Sequence, residues 1–209
     1  FFKSFSQSRS HQFFIDLYSW FFEQLQFDNY TLDVDSSVIT RYGEQQGSKK
    51  GYNPAKRGRN SHHPLFAFVN DLRMVANCWN RSGNTSSSNN CINFLEETFA
   101  ILKNKTVGLF RADSGFCSEL LLKFIEDKNI AYVVCAKLYA NLQREVYNIQ
   151  KWNALGEGIW ISEMVFKQNG WSKNQRIIVI KQSEEIRKRA KDKKLRTLFS
   201  GLGKKKKKV

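Results

Sequence analysis

The 209-residue sequence predicts an α/β domain in which helices flank a mixed β-sheet. Three observations lead to this prediction. Apolar side chains recur at spacings of three and four in residues 11–25 and 91–102, which is the period of an amphipathic helix. Residues 30–38 alternate between apolar and polar side chains, which is the period of a strand. Further short apolar runs, bounded by polar turns, alternate with helical patterns up to residue 135.

The order of these elements narrows the fold class. The predicted elements are a helix at 11–25, a strand at 30–38, a basic loop at 43–61, strands at 65–69 and 74–79, a polar loop at 82–90, a helix at 91–102, a strand at 106–111, a helix at 118–127 and a strand at 131–135. A strand, a hairpin and then helix, strand, helix and strand is the order of an RNase H-like domain. In that arrangement the first and fourth strands lie side by side.

The pattern changes beyond residue 137. Residues 158–166 and 175–180 are rich in β-forming side chains, with three tryptophans nearby, and indicate a small added sheet. From residue 183 onward charged residues dominate. We therefore predict four regions: a helical N-terminal segment (1–27), an RNase H-like core (28–137), a β-rich insertion (138–182) and a basic, disordered tail (183–209).

The net charge of +15 indicates a polyanionic partner. Residues 184–209 carry twelve Lys or Arg and three acidic residues, so the tail is strongly basic and the body moderately so. No apolar stretch reaches the roughly 18–20 residues that span a bilayer. The four cysteines form no CxxC pair, which favours free thiols in a reducing cytoplasm over structural zinc. These features predict a cytoplasmic protein that binds nucleic acid and no membrane.

Two acidic motifs, each at the end of a predicted strand, are the strongest functional signal. They are Leu32-Asp33-Val34-Asp35-Ser36-Ser37 and Arg111-Ala112-Asp113-Ser114-Gly115-Phe116. Carboxylates at strand ends can converge on a divalent cation, and Mg²⁺ prefers such oxygen ligands. The predicted strand order would bring Asp35 and Asp113 together. The alternative is that both are solvated strand-end or helix-capping residues. Asp33 shares a strand face with Asp35 and could support the metal indirectly.

The motifs resemble those of the DDE transposases of bacterial insertion sequences, in the group whose catalytic core carries a large β insertion. The resemblance covers residues 28–182 and is carried by five segments in order: the two acidic motifs, Gly51-Tyr52-Asn53-Pro54 with His63-Pro64-Leu65, Arg81-Ser82-Gly83-Asn84 and Arg176-Ile177-Ile178-Val179-Ile180. It implies phosphodiester hydrolysis and strand transfer at insertion-sequence ends, with two Mg²⁺ or Mn²⁺ ions held by two Asp and one Glu. By motif match, Asp35 and Asp113 would be catalytic metal ligands.

The third ligand is missing from the sequence pattern. The resemblance implies a Glu on a helix after the β insertion, with Tyr, Arg and Lys at helical spacings. The nearest candidate is Glu184 with Lys191, but the positions for Tyr and Arg hold Ile177 and Ile180. The third carboxylate is therefore unknown, and we expect a truncated transposase. Two functions stay open, an enzyme fragment and a catalytically inactive DNA-binding remnant. A structural domain that binds another protein fits the charge less well.

Two groups of residues are candidates for DNA contact. The basic loop offers phosphate contacts and an aromatic side chain for base stacking, through Lys49, Lys50, Tyr52, Lys56, Arg57 and Arg59. It could equally be an ordinary solubilising loop. Arg81 and Asn84 could contact a DNA end, or together with Ser82 cap the following helix. The predicted partner is double-stranded DNA, on which the complete enzyme would form a homodimer.

Overall fold

The computed structural model describes residues 7–187, with side chains from residue 10. The chain divides into two compact units after Lys137. The first unit contains α1 (Gln7–Glu23), β1 (Tyr30–Ser36), β2 (Ile39–Thr40), β3 (Lys49–Lys50), β4 (Asn60–His62), β5 (Leu65–Val69), β6 (Met74–Trp79), α2 (Cys91–Leu102), β7 (Val107–Ala112), α3 (Glu119–Asp127) and β8 (Ala131–Val134). The second contains α4 (Ala140–Tyr147), β9 (Asn153–Gly156), β10 (Ile159–Phe166) and β11 (Gln175–Gln182).

The first unit is built on a five-stranded mixed sheet with the strand order β6–β5–β1–β7–β8. Strand β1 lies at its centre, antiparallel to β5 and parallel to β7, and β8 continues the parallel half. The predicted fold class is confirmed, because the first and fourth strands of the predicted order, β1 and β7, are neighbours. The predicted hairpin at 65–69 and 74–79 and the helix at 91–102 have the predicted bounds.

Packing in the core explains why β1 alternates between apolar and polar side chains. Its Leu32 and Val34 are fully or almost fully buried, while the acidic residues between and after them are not. Phe94 and Leu95 of α2 and Ile125 of α3 belong to the same buried cluster as these two β1 residues. Because apolar side chains gain roughly 1.5–3 kcal/mol each on burial, this register is strongly favoured over one shifted by a residue, which would bury the aspartates.

The predicted basic loop at 43–61 is partly wrong, because it contains β3 and β4. Together with β2 these form a separate three-stranded sheet in the order β2–β4–β3. The His62 side chain is buried and ties this sheet together: its Nδ1 accepts from Arg41 Nε at 2.9 Å and its Nε2 donates to Gln46 O at 3.0 Å. Strands of two or three residues carry no readable alternation, so their pairing depends on such side-chain contacts.

The second unit holds a three-stranded antiparallel sheet in the order β11–β10–β9. Strands β10 and β11 coincide with the β-rich stretches seen in the sequence, whereas α4 and β9 were not predicted. Most of the predicted basic tail, residues 188–209, lies outside the described residues. Among the helices that the structure describes, none is long and apolar enough to cross a membrane.

Candidate active site

Asp35 and Asp113 leave neighbouring parallel strands at the same edge of the sheet. Val34 of β1 is paired with Ala112 of β7, so the residue that follows each is an aspartate. Both aspartates are exposed. The structure thus brings the two candidate ligands together, as the strand order predicted, while their role as metal ligands stays a prediction.

Each aspartate is held by a backbone N–H that follows it in the chain. Asp35 Oδ1 accepts from Ser36 N–H at 2.7 Å, and Asp113 Oδ1 accepts from Gly115 N–H at 2.8 Å. Asp113 is also the N-cap of a short 3₁₀ turn, Ser114–Phe116, so its capping and its position at the sheet edge coexist. In the part of the chain that the structure describes, Oδ2 of neither carboxylate accepts a hydrogen bond, and it is available to a ligand.

Asp33 has a different partner from Asp35. Arg111 lies opposite it on β7 and donates from Nε to Oδ1 and from Nη2 to Oδ2, both at 2.6 Å. The hydrogen bond and charge of Asp33 raise the pKa of Arg111. In this two-pronged pair each oxygen of Asp33 accepts one hydrogen bond from the guanidinium. The structure therefore gives the two aspartates of the first motif different partners, and cation binding by Asp35 stays a prediction.

Arg81 does not present an exposed guanidinium in the structure, and its predicted contact with DNA stays a prediction. It is only 9% exposed, and burial lowers the pKa of its guanidinium. Its Nε donates to His63 O at 3.1 Å, while Nη1 reaches three carbonyls of the following loop, those of Ser86 and Ser87 at 3.2 Å and Asn89 at 2.8 Å. Arg81 organises this loop from the inside.

The capping alternative for this segment is not seen. Helix α2 begins at Cys91, and its N-cap is Asn90 in the left-handed conformation, without a side-chain cap bond. Asn84 is exposed and remains a candidate for DNA contact. The sequence reading missed Ser87, whose Oγ lies 2.9 Å from Ser36 Oγ, next to the first aspartate. Its only sequence signal was a place in a serine-rich loop, which does not distinguish it from its neighbours.

The basic residues of the small sheet lie at the same end of β1 as the aspartates. Strand β2 follows β1 after two residues, and β4 ends just before β5, whose Leu65 is paired with Ser36. We call this the basic loop surface; its members Lys49, Lys50, Tyr52, Lys56, Arg57 and Arg59 are all exposed. The structure thus places these candidates beyond the carboxyl end of β1, beyond Asp35.

Two internal contacts hold the basic loop surface in place. Asn53 is buried; it donates to Thr40 Oγ1 at 2.9 Å and accepts from the Lys56 N–H at 2.9 Å. Gly51 packs against the backbone of Gly83: a Cβ added at Gly51 would lie 1.9 Å from the Gly83 carbonyl oxygen. The surface is therefore anchored to the same loop that Arg81 organises.

The candidate ligands have the oxygen atoms that a hard divalent cation prefers, but there are fewer of them than the three that the resemblance implies. Asp35 and Asp113 supply carboxylate oxygens at adjacent strand ends, which suit Mg²⁺ or Mn²⁺. Residues 7–187 contain no group of three or more His, Cys, Asp and Glu side chains that could hold a metal ion. Glu184 lies in the second unit, and Lys191 lies outside the described residues. The third ligand remains unassigned.

Comparison with known proteins identifies the family. Residues 4–199 match the family described as transposase DDE domain group 1, so the chain belongs to this family of transposases, as its motifs predicted. No curated protein matches the chain.

Two solved transposases are similar to the chain. A cryo-EM structure of the piggyBac transposase synaptic complex with hairpin DNA shares 12% identity at a TM-score of 0.46, over 81% of this chain and 36% of that chain. The Mos1 transposase paired-end complex with left transposon end shares 10% identity at a TM-score of 0.36, over 59% of this chain and 40% of that chain. The chain thus spans well under half the length of either protein.

Proposed function

We propose that the first unit carries the metal-dependent phosphodiester-cleaving site of a DDE transposase, with Asp35 and Asp113 as metal ligands. The observation that supports this most directly is the pairing of Val34 with Ala112, which puts both aspartates at one edge of the sheet. Membership of the transposase family supports the reaction class, hydrolysis and strand transfer at the ends of an insertion sequence.

The chain's own residues prepare the site in two ways. The backbone N–H groups of Ser36 and Gly115 orient Asp35 and Asp113 and leave Oδ2 of each for a cation. The Arg111–Asp33 pair keeps a third carboxylate engaged at the same pair of strands. When bound, Mg²⁺ or Mn²⁺ would activate water or a 3′ hydroxyl and stabilise the leaving oxygen of the phosphodiester.

The proposed substrate is double-stranded DNA. The basic loop surface supplies exposed lysines and arginines at the end of β1 that carries Asp35, and phosphate contacts of this kind position a duplex without reading its sequence. We further propose that the complete protein acts as a homodimer, because two transposon ends must be joined, and that it acts in the cytoplasm, where its four free cysteines stay reduced.

A second function is favoured by the ligand count. The described residues supply two carboxylates at the sheet edge where the mechanism uses three. A chain of this kind would bind DNA through the basic loop surface without cleaving it.

One experiment separates the two functions. Nicking of a labelled duplex, DNA binding at several salt concentrations and Mn²⁺ binding are measured for the wild-type chain, Asp35→Asn, Asp113→Asn and the control Asp127→Asn. Asp127 is an exposed residue at the end of α3. Nicking and Mn²⁺ binding that both aspartate variants lose, and the control keeps, support the enzyme. Salt-dependent DNA binding without nicking, with any divalent ion, supports the second function. Mn²⁺ binding that neither aspartate variant weakens contradicts the proposed metal site.

A further inference from the structure

Ser87 lies close to both residues whose backbone N–H groups bind the aspartates. Its Oγ is 2.9 Å from Oγ of Ser36, the residue whose backbone N–H binds Asp35. Ser87 is also close to Gly115, whose N–H binds Asp113: a Cβ added at Gly115 would lie 3.0 Å from both Cβ and Oγ of Ser87. One serine side chain thus hydrogen-bonds Ser36 and lies close to Gly115, the residues whose backbone N–H groups bind the two candidate ligands.

Arg81 determines where Ser87 lies. The guanidinium is planar, and its Nη1 donates hydrogen bonds to the carbonyls of Ser86, Ser87 and Asn89. The loop therefore surrounds this nitrogen. Its Nε donates to His63 O, in the segment that links the small sheet to β5. A lysine has no fixed fork of donors and could not reproduce this set of bonds. The position of Ser87 is therefore set by a buried side chain that has no contact with Asp35 or Asp113.

We infer that Ser87, held by Arg81, is a positioning residue that fixes Asp35 and Asp113 relative to each other. This inference rests on the proposed function, since it assigns the fixed spacing to a shared cation. A divalent ion such as Mg²⁺ demands near-ideal geometry, so small errors in the spacing of its ligands lower the affinity. Residues that orient the metal-binding side chains without touching the metal typically contribute about 10–100-fold to metal affinity.

The presence of glycine at position 115 agrees with the positioning role of Ser87. A Cβ at Gly115 would also lie 3.0 Å from Oδ1 of Asp113, so a methyl group there would press on Asp113 and Ser87 together. The φ angle of Gly115 is not positive, so the backbone conformation does not require glycine here. Among the described residues, four other glycines do have a positive φ. The close approach of Ser87 and Asp113 is therefore the feature that opposes a side chain at 115.

The test compares Ser87→Ala with the adjacent control Ser88→Ala, and Arg81→Lys with Gly115→Ala as further variants. Two quantities are measured in each: the Kd for Mn²⁺, by EPR of the free ion, and NMR amide hydrogen exchange at Ser36 and Gly115. We expect Ser87→Ala to weaken Mn²⁺ binding about tenfold and to raise exchange at the two amides about fivefold, as the loss of one ordinary hydrogen bond would. Arg81→Lys and Gly115→Ala should change both quantities in the same direction, and Ser88→Ala neither.

The two readouts separate this inference from the proposed function. Unchanged exchange at both amides in Ser87→Ala, or an equal rise in Ser88→Ala, overturns the positioning role whatever the metal result. If the wild-type chain and Asp35→Asn bind Mn²⁺ equally, the proposed metal site fails, and unequal exchange between Ser87→Ala and Ser88→Ala still shows that Ser87 fixes the two aspartates. A global loss of folding is detected by exchange at Leu32 and Phe110 in the core, which should not change.

Discussion

Arg111 and Asp33 face each other across β1 and β7 and are joined by two hydrogen bonds of 2.6 Å. The pair is partly exposed, with 44% of the Arg111 side chain and 28% of the Asp33 side chain accessible. Asp35, two residues further along β1, contacts the N–H of Ser36. The acidic motif of β1 therefore contains one carboxylate that joins two strands and one, the proposed metal ligand, that is held by the adjacent backbone N–H.

This division predicts opposite effects for two chemically identical substitutions. Asp35→Asn should weaken Mn²⁺ binding at least about tenfold, since a carboxylate ligand is lost, with little effect on stability. Asp33→Asn should change Mn²⁺ affinity less than about threefold and cost about 0.5–1 kcal/mol of unfolding free energy, the usual contribution of a partly exposed ion pair. Urea unfolding and Mn²⁺ titration of both variants check this. If Asp33→Asn is the variant that loses the metal, the assignment of the two carboxylates is reversed.

The contact between Gly51 and Gly83 predicts a strong effect of a single methyl group. A Cβ at Gly51 would meet backbone, with the Gly83 carbonyl oxygen at 1.9 Å, so no side-chain rotation can relieve the clash. Gly51→Ala should destabilise the chain by about 1–3 kcal/mol, as overpacking does. The control is Gly43→Ala, where the nearest atoms belong to the flexible Gln45 side chain.

Thermal unfolding measures both glycine variants. For a chain of about this size, 1 kcal/mol shifts the midpoint by about 2–4 °C. A midpoint for Gly51→Ala as high as that of Gly43→Ala would mean that the basic loop surface is not tied to the loop organised by Arg81.

The sequence predicted the sheet and the site to different depths, for physical reasons. The five strands of the main sheet and the adjacency of Asp35 and Asp113 follow from alternation, helix periodicity and element order. Alternation and helix periodicity are signals of burial that extend over four or more residues. Elements such as β3, with two residues, are too short to show them.

The role of Arg81 could not be read from its residue type. Basic residues are usually exposed, and an arginine in a polar loop before a helix suggests a surface contact. In the structure its charge is buried among backbone carbonyls. No periodic pattern in the sequence predicts that burial. Ser87 could not be predicted for a similar reason: its proximity to Ser36 and Gly115 joins parts of the chain far apart in sequence.

The exposure of the basic loop surface predicts its contribution to DNA affinity. Replacing Lys56 and Arg57 by glutamine should weaken binding to any duplex sequence alike. It should also reduce the slope of log Kd against log salt by about one for each phosphate contact that is lost. The control is Lys123→Gln, an exposed position on α3. Fluorescence anisotropy at several salt concentrations gives both slopes; equal slopes for the double variant and the control would show that this surface does not contact the phosphates.

Asp28 predicts a pH dependence of stability. Its Oδ1 accepts from the Thr106 N–H at 2.6 Å, which joins the start of β1 to the start of β7. The backbone hydrogen bond from Thr106, and next that from Asn29, lower the pKa of Asp28 below its ordinary value of 3.8. Because the folded state then binds the proton less readily than the unfolded state, the ionised carboxylate adds stability above pH 3.8, and this stability is lost as the pH falls through the folded pKa.

The Asp28→Asn variant should therefore be less stable than the wild-type chain at neutral pH. Its stability should fall less than that of the wild type on acidification. Urea midpoints at pH 7, 5 and 3 measure this difference. The control is Asn104→Ser, an exposed change close to Thr106 that keeps Asp28 and should keep the wild-type pH dependence. An equal fall in midpoint between pH 5 and 3 for Asp28→Asn and wild type would mean that the carboxylate does not draw its low pKa from the strand contact. The start of β1 would then be joined to β7 by backbone pairing alone.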